Sequence, residues 1–414
     1  MHKRDFKLSI NSHLWAKAQE KIQTDFGKKF CQTDCALIVL LLACYKRKNK
    51  PRSIKNICLV LDTPDEREPK NYTKKTLCLY VGLMEKLKVL HPGCNNSEIF
   101  EFALADFLYL PANFYTDSIT SLYSIVGSKN KKMQGSTAKA VSSMKLNVQD
   151  LTLIDGCCAT GSLFFGLKTY PWKQVILNDM NPLRTNFLNV IKSKPLQLIK
   201  KILDMDLSFI KYRDQKNGEL RKFKEATDTY LDKRKKYKKV DCNVDIAFQM
   251  FLKQCIDKKP PENSERIFER VFRFLPAHLK LQNARITQAD CLTYLKNDSP
   301  KFLLLDVPYI GSEQECSVKG YRYAPFHEKV AKFLQEADYP FIYYCRSSAP
   351  KSDKSKPTKE KETIMRMELG QLFFDKGFYF EKVRLSNDTE LMVSNQNYNN
   401  DTQFQWTEFH QGLL

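Results

Sequence analysis

Four short apolar runs in this chain end in an aspartate: LTLID at 151–155, QVILND at 174–179, ARITQAD at 284–290 and KFLLLD at 301–306. A fifth run, YPFIYYC at 339–345, is equally apolar without the acid. Continuous apolar runs of this length fit strands covered on both faces, the situation of a parallel sheet. Helical patterns lie between them, among them SLFFGL after Gly161 and PLRTNFLNVIK from Pro182 to Lys192, with proline in the first turn. Strands alternating with helices predict an α/β fold, in which ligands bind outside the carboxyl ends of the strands. One strand-end acid is equally what a helix N-cap requires. Four of them on one edge, Asp155, Asp179, Asp290 and Asp306, are harder to assign to capping.

Residues 1–115 have a different texture and are expected to form a separate N-terminal domain, with the α/β domain over 116–414. TDCALIVLLLACYK, at 33–46, has the apolar density of a buried helix. SIKNICLVL, Ser53 to Leu61, predicts a second helix with a serine N-cap. In NYTKKTLCLYVGLMEKLKVL, Leu77, Val81 and Met84 recur at helical spacing, with Thr73 as cap and Lys74 and Lys75 exposed near the start. SEIFEFALA after the HPG stop reads as a strand. Three helices and a β wing are the order of a winged helix-turn-helix, whose third helix enters a DNA groove. A small helical domain packed on its neighbour would give the same pattern.

The chain carries 67 Lys and Arg against 47 Asp and Glu, a formal net charge of +20. Such an excess repels itself and favours a polyanionic partner, nucleic acid or an anionic membrane surface. The basic, tyrosine-interleaved stretch 211–239 is either a solvated helix face or a phosphate-contacting segment. Residues 346–362, rich in Lys, Ser and Pro, read as a loop. The most apolar run, Ala36 to Cys44, is about half the ~20 residues a bilayer span needs, so no membrane segment is expected. The N-terminus lacks the apolar stretch of a signal peptide. The 13 cysteines are scattered through apolar runs without metal spacing, which points to reduced thiols in a cytoplasm and to no metal site.

The chemistry concentrates at two turns. DGCCATGSLFFGL, Asp155 to Leu167, follows a strand and precedes an apolar helix, and its small residues Gly156, Ala159 and Gly161 let a ligand approach the backbone. No Gly-Lys-Ser/Thr follows, so the turn is not a polyphosphate cradle. Asp179, at the end of the next strand, can accept hydrogen bonds from both hydroxyls of a ribose. An adenosine-type ligand without polyphosphate, such as S-adenosylmethionine, fits both facts. The second turn is FLLLDVPYIGSEQ, 302–314. An exocyclic amine on adenine is a weak nucleophile because its lone pair is delocalised into the ring. Asp306 and the carbonyl of Val307 can accept its two N–H bonds, Pro308 can hold the turn rigid, and Tyr309 can stack on a base removed from its duplex. The same four residues also make an ordinary strand-terminating turn with a surface tyrosine.

Taken in order, these segments resemble the D12 class of DNA adenine-N6 methyltransferases, the group that includes the Dam enzymes. DGCCATGSLFF resembles their cofactor loop, ILNDMNPLRTNFLNVIK their ribose-binding strand and helix, and DVPYIGS their Asp-Pro-Pro-Tyr segment. FQMFLKQC, FLPAHLKLQNARITQADCL, GYRYAPFHEKVAKFLQEADYPFIYYCRSS and TELMVSN match the surrounding pattern, and YSIVGSKNKKM resembles the N-terminal Gly-Ser-Lys segment. The resemblance spans roughly 120–395 and implies a Rossmann-like S-adenosylmethionine-dependent methyltransferase domain with a helical target-recognition insert at 193–280. It implies that Asp155, Cys157 and Gly161 line the methionine end of the cofactor. Asp179 would hold its ribose, Asp290 and the backbone at Cys291 its adenine, and Lys129 would lie near its carboxylate. Asp306, Val307, Pro308 and Tyr309 would clamp an adenine flipped from double-stranded DNA. An RNA adenine methyltransferase and an inert DNA-binding regulator are the alternatives. Three positions depart from the family: Cys157 replaces an aromatic residue, Val307 replaces the first proline, and Ala159 stands where a glycine is expected. If position 159 needs a positive φ, alanine is strained there.

Overall fold

The computed structural model describes residues 3–45, 72–119, 131–205, 225, 229, 242–257, 270–296, 298–307, 323–346, 378–384 and 389–396. The expected helix at Ser53–Leu61, most of the basic stretch 211–239, all of the expected loop 346–362 except Arg346, and Lys129, Pro308 and Tyr309 lie outside the described residues. The chain divides into two compact units. One comprises residues 1–119, 190–230 and 243–282, the other residues 120–189, 231–242 and 283–414.

In the first unit, β1 (Lys3–Asn11) pairs antiparallel with β2 (Tyr72–Tyr80). Asn11 then caps helix Ser12–Phe26, its side chain accepting from the His13 and Leu14 amides, and Gly27 ends that helix at φ 66°. Helix Gln32–Tyr45 is the core rod expected from its composition, with every residue from Cys35 to Ala43 and Cys44 itself buried. Two expectations are overturned here. Residues 72–80 form a strand, and the helix begins only at Val81 and runs to Leu90. Leu77 and Leu79 are buried and Thr76 and Cys78 exposed, so a period of two prevails up to Tyr80. SEIFEFALA, residues 97–105, expected as a strand, lies within helix Asn96–Tyr109, which is opened by a capping box. The Asn95 side chain accepts from Glu98 N, and the Glu98 carboxylate accepts from Asn95 N. Ile99, Phe100, Ala103, Leu104 and Phe107 form its buried stripe. The described elements therefore place neither the start of the third helix nor the wing where the winged-helix expectation puts them, and that expectation is not confirmed.

The insert shares this unit's core. Helix Phe274–Leu281 packs on helices Gln32–Tyr45 and Ala112–Ser118, and helix Pro195–Leu203 packs on helices Val244–Asp257 and Phe274–Leu281. Polar contacts add to the packing. Asp204 accepts from Lys3 and from the Tyr80 hydroxyl at 2.8 Å, Lys200 pairs with Asp34, and the His278 ring stacks on Phe26 at 5.2 Å.

The second unit is built on a seven-stranded sheet. Its strands are β3 (Thr152–Asp155), β4 (Gln174–Asn178), β5 (Ala284–Thr287), β6 (Lys301–Leu305), β7 (Phe341–Arg346), β8 (Tyr379–Arg384) and β9 (Thr389–Ser394). The order across the sheet is β5-β4-β3-β6-β7-β9-β8, with β9 antiparallel to both neighbours and the other pairs parallel. All four acid-ending runs are thus adjacent parallel strands. The order reverses between β3 and β6, which puts the switch point, the crevice where such sheets bind ligands, at the ends carrying Asp155 and Asp306. Helices follow the strands as expected, Ser162–Gly166 after β3 and Pro182–Ser193 after β4. β6 is buried along its whole length. No described helix is long and apolar enough to cross a membrane.

Candidate functional site

Asp155 is the last residue of β3 and lies level with Leu177 of β4 and Leu304 of β6. Asp179 and Asp306 stand two residues beyond those partners, so the three acids line one edge in a short stagger. Asp155 is 1% exposed, and among the described residues neither carboxyl oxygen has a hydrogen-bond partner. Burial pushes its pKa well above the ordinary carboxylate value, and the neighbouring Asp306 and Asp179 push it further. The Cys157 and Phe164 amides oppose the rise without closing a hydrogen bond. An unpartnered buried carboxyl costs about 1–3 kcal/mol, a penalty that the described residues leave unrelieved.

The turn from 156 to 162 is tightly specified. The Gly156 amide donates to Leu304 O at 2.9 Å, and a Cβ on Gly156 would meet Leu305 Cδ2 at 2.6 Å. The Cys158 amide donates to Asn178 O, and the Gly161 amide to Cys158 O. Gly161 has φ 75° and Ala159 φ 51°, so the alanine does occupy a left-handed conformation. Asp179 holds it there, because its Oδ2 accepts from Ala159 N at 2.9 Å and from Arg184 Nη1 at 3.2 Å, while Oδ1 accepts from Asn181 N at 2.8 Å. A carboxylate has about four lone-pair sites, so these three donors leave room for one more. Two further buried groups on this turn, the Thr160 and Ser162 hydroxyls, also lack partners among the described residues. Neither residue was singled out from the sequence. Serine and threonine at the start of a helix usually read as caps, which hid them.

Asp290 lies three residues past β5 and caps the 3-10 turn Cys291–Tyr294, accepting from Leu292 N at 3.0 Å. Cys291 is buried, and its thiol, first, and then burial push the Cys157 thiol pKa well up. Asp306 is half-buried. The next residue, Val307, is 1% exposed and belongs to the core cluster with Leu305, Phe326, Val330 and Phe341. That anchorage explains how valine can follow the acid where the resembling family has proline. Asp155, Cys157, Gly161, Asp179, Asp290, Cys291, Asp306 and Val307 therefore all fall on the turns at one edge of the sheet.

The profile of the family described as D12 class N6 adenine-specific DNA methyltransferase matches residues 147–367, just over half of the chain. Two solved structures are similar in outline. The rRNA methyltransferase aviRa from Streptomyces viridochromogenes shares 15% identity over 69% of this chain and 94% of its own, at a TM-score of 0.31. A protein from Listeria monocytogenes described as a class I S-adenosylmethionine-dependent methyltransferase shares 9% over 95% and 90%, at 0.27. Neither likeness is close enough to bear on activity or substrate. No curated protein matches the sequence.

Proposed function

Because the chain belongs to the D12 class of N6 adenine-specific DNA methyltransferases, we propose that it methylates the exocyclic N6 amine of adenine in double-stranded DNA, at a specific sequence and on a base turned out of the duplex. Its cofactor is S-adenosylmethionine, and its doubly wound sheet is the Rossmann-like frame of such enzymes. When bound, that cofactor supplies a methyl group already activated on a sulfonium. The observation that carries the reading is the buried, unpartnered carboxyl of Asp155 at the switch point, between Asp306 and Asp179. Unsatisfied groups in a closed turn fit a ligand that brings positive charge and hydrogen-bond donors, and the cofactor brings both.

Asp155, Cys157 and Gly161 hold the methionine end, with Thr160 and Ser162 as further polar contacts. Asp179 gives its remaining acceptor site to the ribose. Asp290 and the backbone at Cys291 receive the adenine, and Lys129 approaches the cofactor carboxylate. Asp306 and the Val307 carbonyl accept the two N–H bonds of the target amine, which keeps the nitrogen lone pair available as the nitrogen becomes tetrahedral. Asp306 need not be a strong base, since the proton can leave after the methyl group has moved. Pro308 and Tyr309 complete the clamp. The insert at 193–280 and the N-terminal segment read the sequence, and the net charge of +20 supplies salt-dependent phosphate affinity. The protein works in the cytoplasm.

The test is transfer of tritiated methyl to matched double-stranded DNA and RNA oligonucleotides, with the product base identified. N6-methyladenine in DNA, lost on Asp306→Ala while S-adenosylhomocysteine still binds, is the expected result. Methyl transfer to RNA alone would move the substrate class. Tight DNA binding without any transfer would make the chain a regulator, and full turnover by Asp306→Ala would overturn the role of Asp306.

A further inference from the structure

Asn178, the last residue of β4, was given no role by the sequence, yet its side chain is 0% exposed and makes all four hydrogen bonds an amide can make. Its Nδ2 donates to Gly156 O and to Ala289 O, both at 2.9 Å. Its Oδ1 accepts from Ala289 N at 2.9 Å and from Thr287 Oγ1 at 3.0 Å. Gly156 sits between Asp155 and Cys157, and Ala289 immediately precedes Asp290 and Cys291. One amide therefore joins the turn after β3 to the turn after β5. The Thr287 hydroxyl extends the network to Tyr294 OH at 2.8 Å.

We infer that Asn178 is a positioning residue that fixes the width of the cofactor seat by tying these two turns together. It touches neither cofactor nor base and acts through the backbone at 156 and 289. The inference rests on the cofactor lying at this sheet edge. Aspartate could not replace it, because an acceptor would then face the two carbonyls that Nδ2 now satisfies. Cofactor affinity thus depends on an amide donor at 178 and on the hydroxyl that orients it.

The experiment is calorimetric titration of the full chain with S-adenosylhomocysteine, alongside melting temperature, DNA affinity and steady-state kinetics. Asn178→Ala and Asn178→Asp should weaken S-adenosylhomocysteine by about 10- to 100-fold, the scale on which loss of an outer-shell orienting partner acts. KM for S-adenosylmethionine should rise in parallel, while kcat at saturating cofactor and DNA affinity stay within a few-fold. Thr287→Val should show a weaker form of the same effect, and Thr287→Ser should restore wild-type binding. A folded Asn178→Ala with unchanged affinity overturns the inference, as does a fall in kcat with KM unchanged. If both Asn178 variants fail to fold, unchanged affinity in Thr287→Val overturns it instead. Failure of the wild-type chain to bind S-adenosylhomocysteine would strike the cofactor placement itself, a distinguishable result.

Discussion

The sheet-bearing unit and the unit of residues 1–119 with the insert are both well packed, yet their sequences constrain them very differently. KFLLLD admits one reading, because a run of five buried residues bounded by a proline before and an acid after is too short for a buried helix and is covered on both faces as a strand. YTKKTLCLYVGLMEKLKVL admits two. Leu77, Val81 and Met84 fit one helix face, while Leu77 and Leu79 fit one strand face, and pairing with β1 some seventy residues earlier decides between them. Burial on both sides leaves a segment one option. A half-buried segment takes its structure from whatever covers it.

The contrast can be tested, beginning with the largest effect. Leu40→Ala, in the buried stretch Cys35–Cys44 of helix Gln32–Tyr45, should cost about 2–5 kcal/mol. Hydrogen exchange should then show protection falling together in helices Gln32–Tyr45, Pro195–Leu203 and Phe274–Leu281. Insert helices that kept full protection would disprove a shared core.

The two units should also respond to pH in opposite directions. Burial lowers the His278 pKa to about 4, so the stability it contributes is present above the ordinary imidazole value and is lost as pH falls toward about 4. Burial raises that of Asp155, so its contribution is complete below the ordinary carboxylate value and is lost as pH rises through the raised one. Thermal melts across pH, read separately for each unit, should remove the acid-side loss in His278→Phe and the alkaline-side loss in Asp155→Asn. Asp155→Asn should at the same time weaken S-adenosylhomocysteine about tenfold, roughly 1.4 kcal/mol. A variant that gained stability and kept its affinity would show the buried acid has no part in binding.

Smaller effects follow at the two turns. Asn95→Ala should cost about 1 kcal/mol by removing the capping box, measurable by urea denaturation. Ala159→Gly should raise stability by less than about 1 kcal/mol, since glycine accepts the left-handed conformation without strain. A loss of stability there would mean that Asp179 sets this conformation at no cost.

The parallel strands, their acids and their helices were legible because each signal is local. The strained alanine was legible too, as a departure from an expected glycine. The Asn95-x-x-Glu98 capping box was present in the sequence and outvoted by the Ile and Phe residues that follow it. Asn178 and the hydroxyls of Thr160 and Ser162 gave no signal, because an amide inside a strand pattern acquires meaning only when two turns distant in sequence close around it. The union of insert and N-terminal segment was invisible for the same reason: Asp204 meets Lys3 and Tyr80 across long stretches of chain.

Asp179 braces the left-handed residue at 159 and also heads the helix that carries Arg184. Replacing it with alanine would collapse the loop along with any seat for a sugar, so the measured loss would conflate two duties. A cleaner probe alters the ligand and leaves the protein intact: a 2′-deoxy or 3′-deoxy analogue would report on sugar recognition with the scaffold undisturbed.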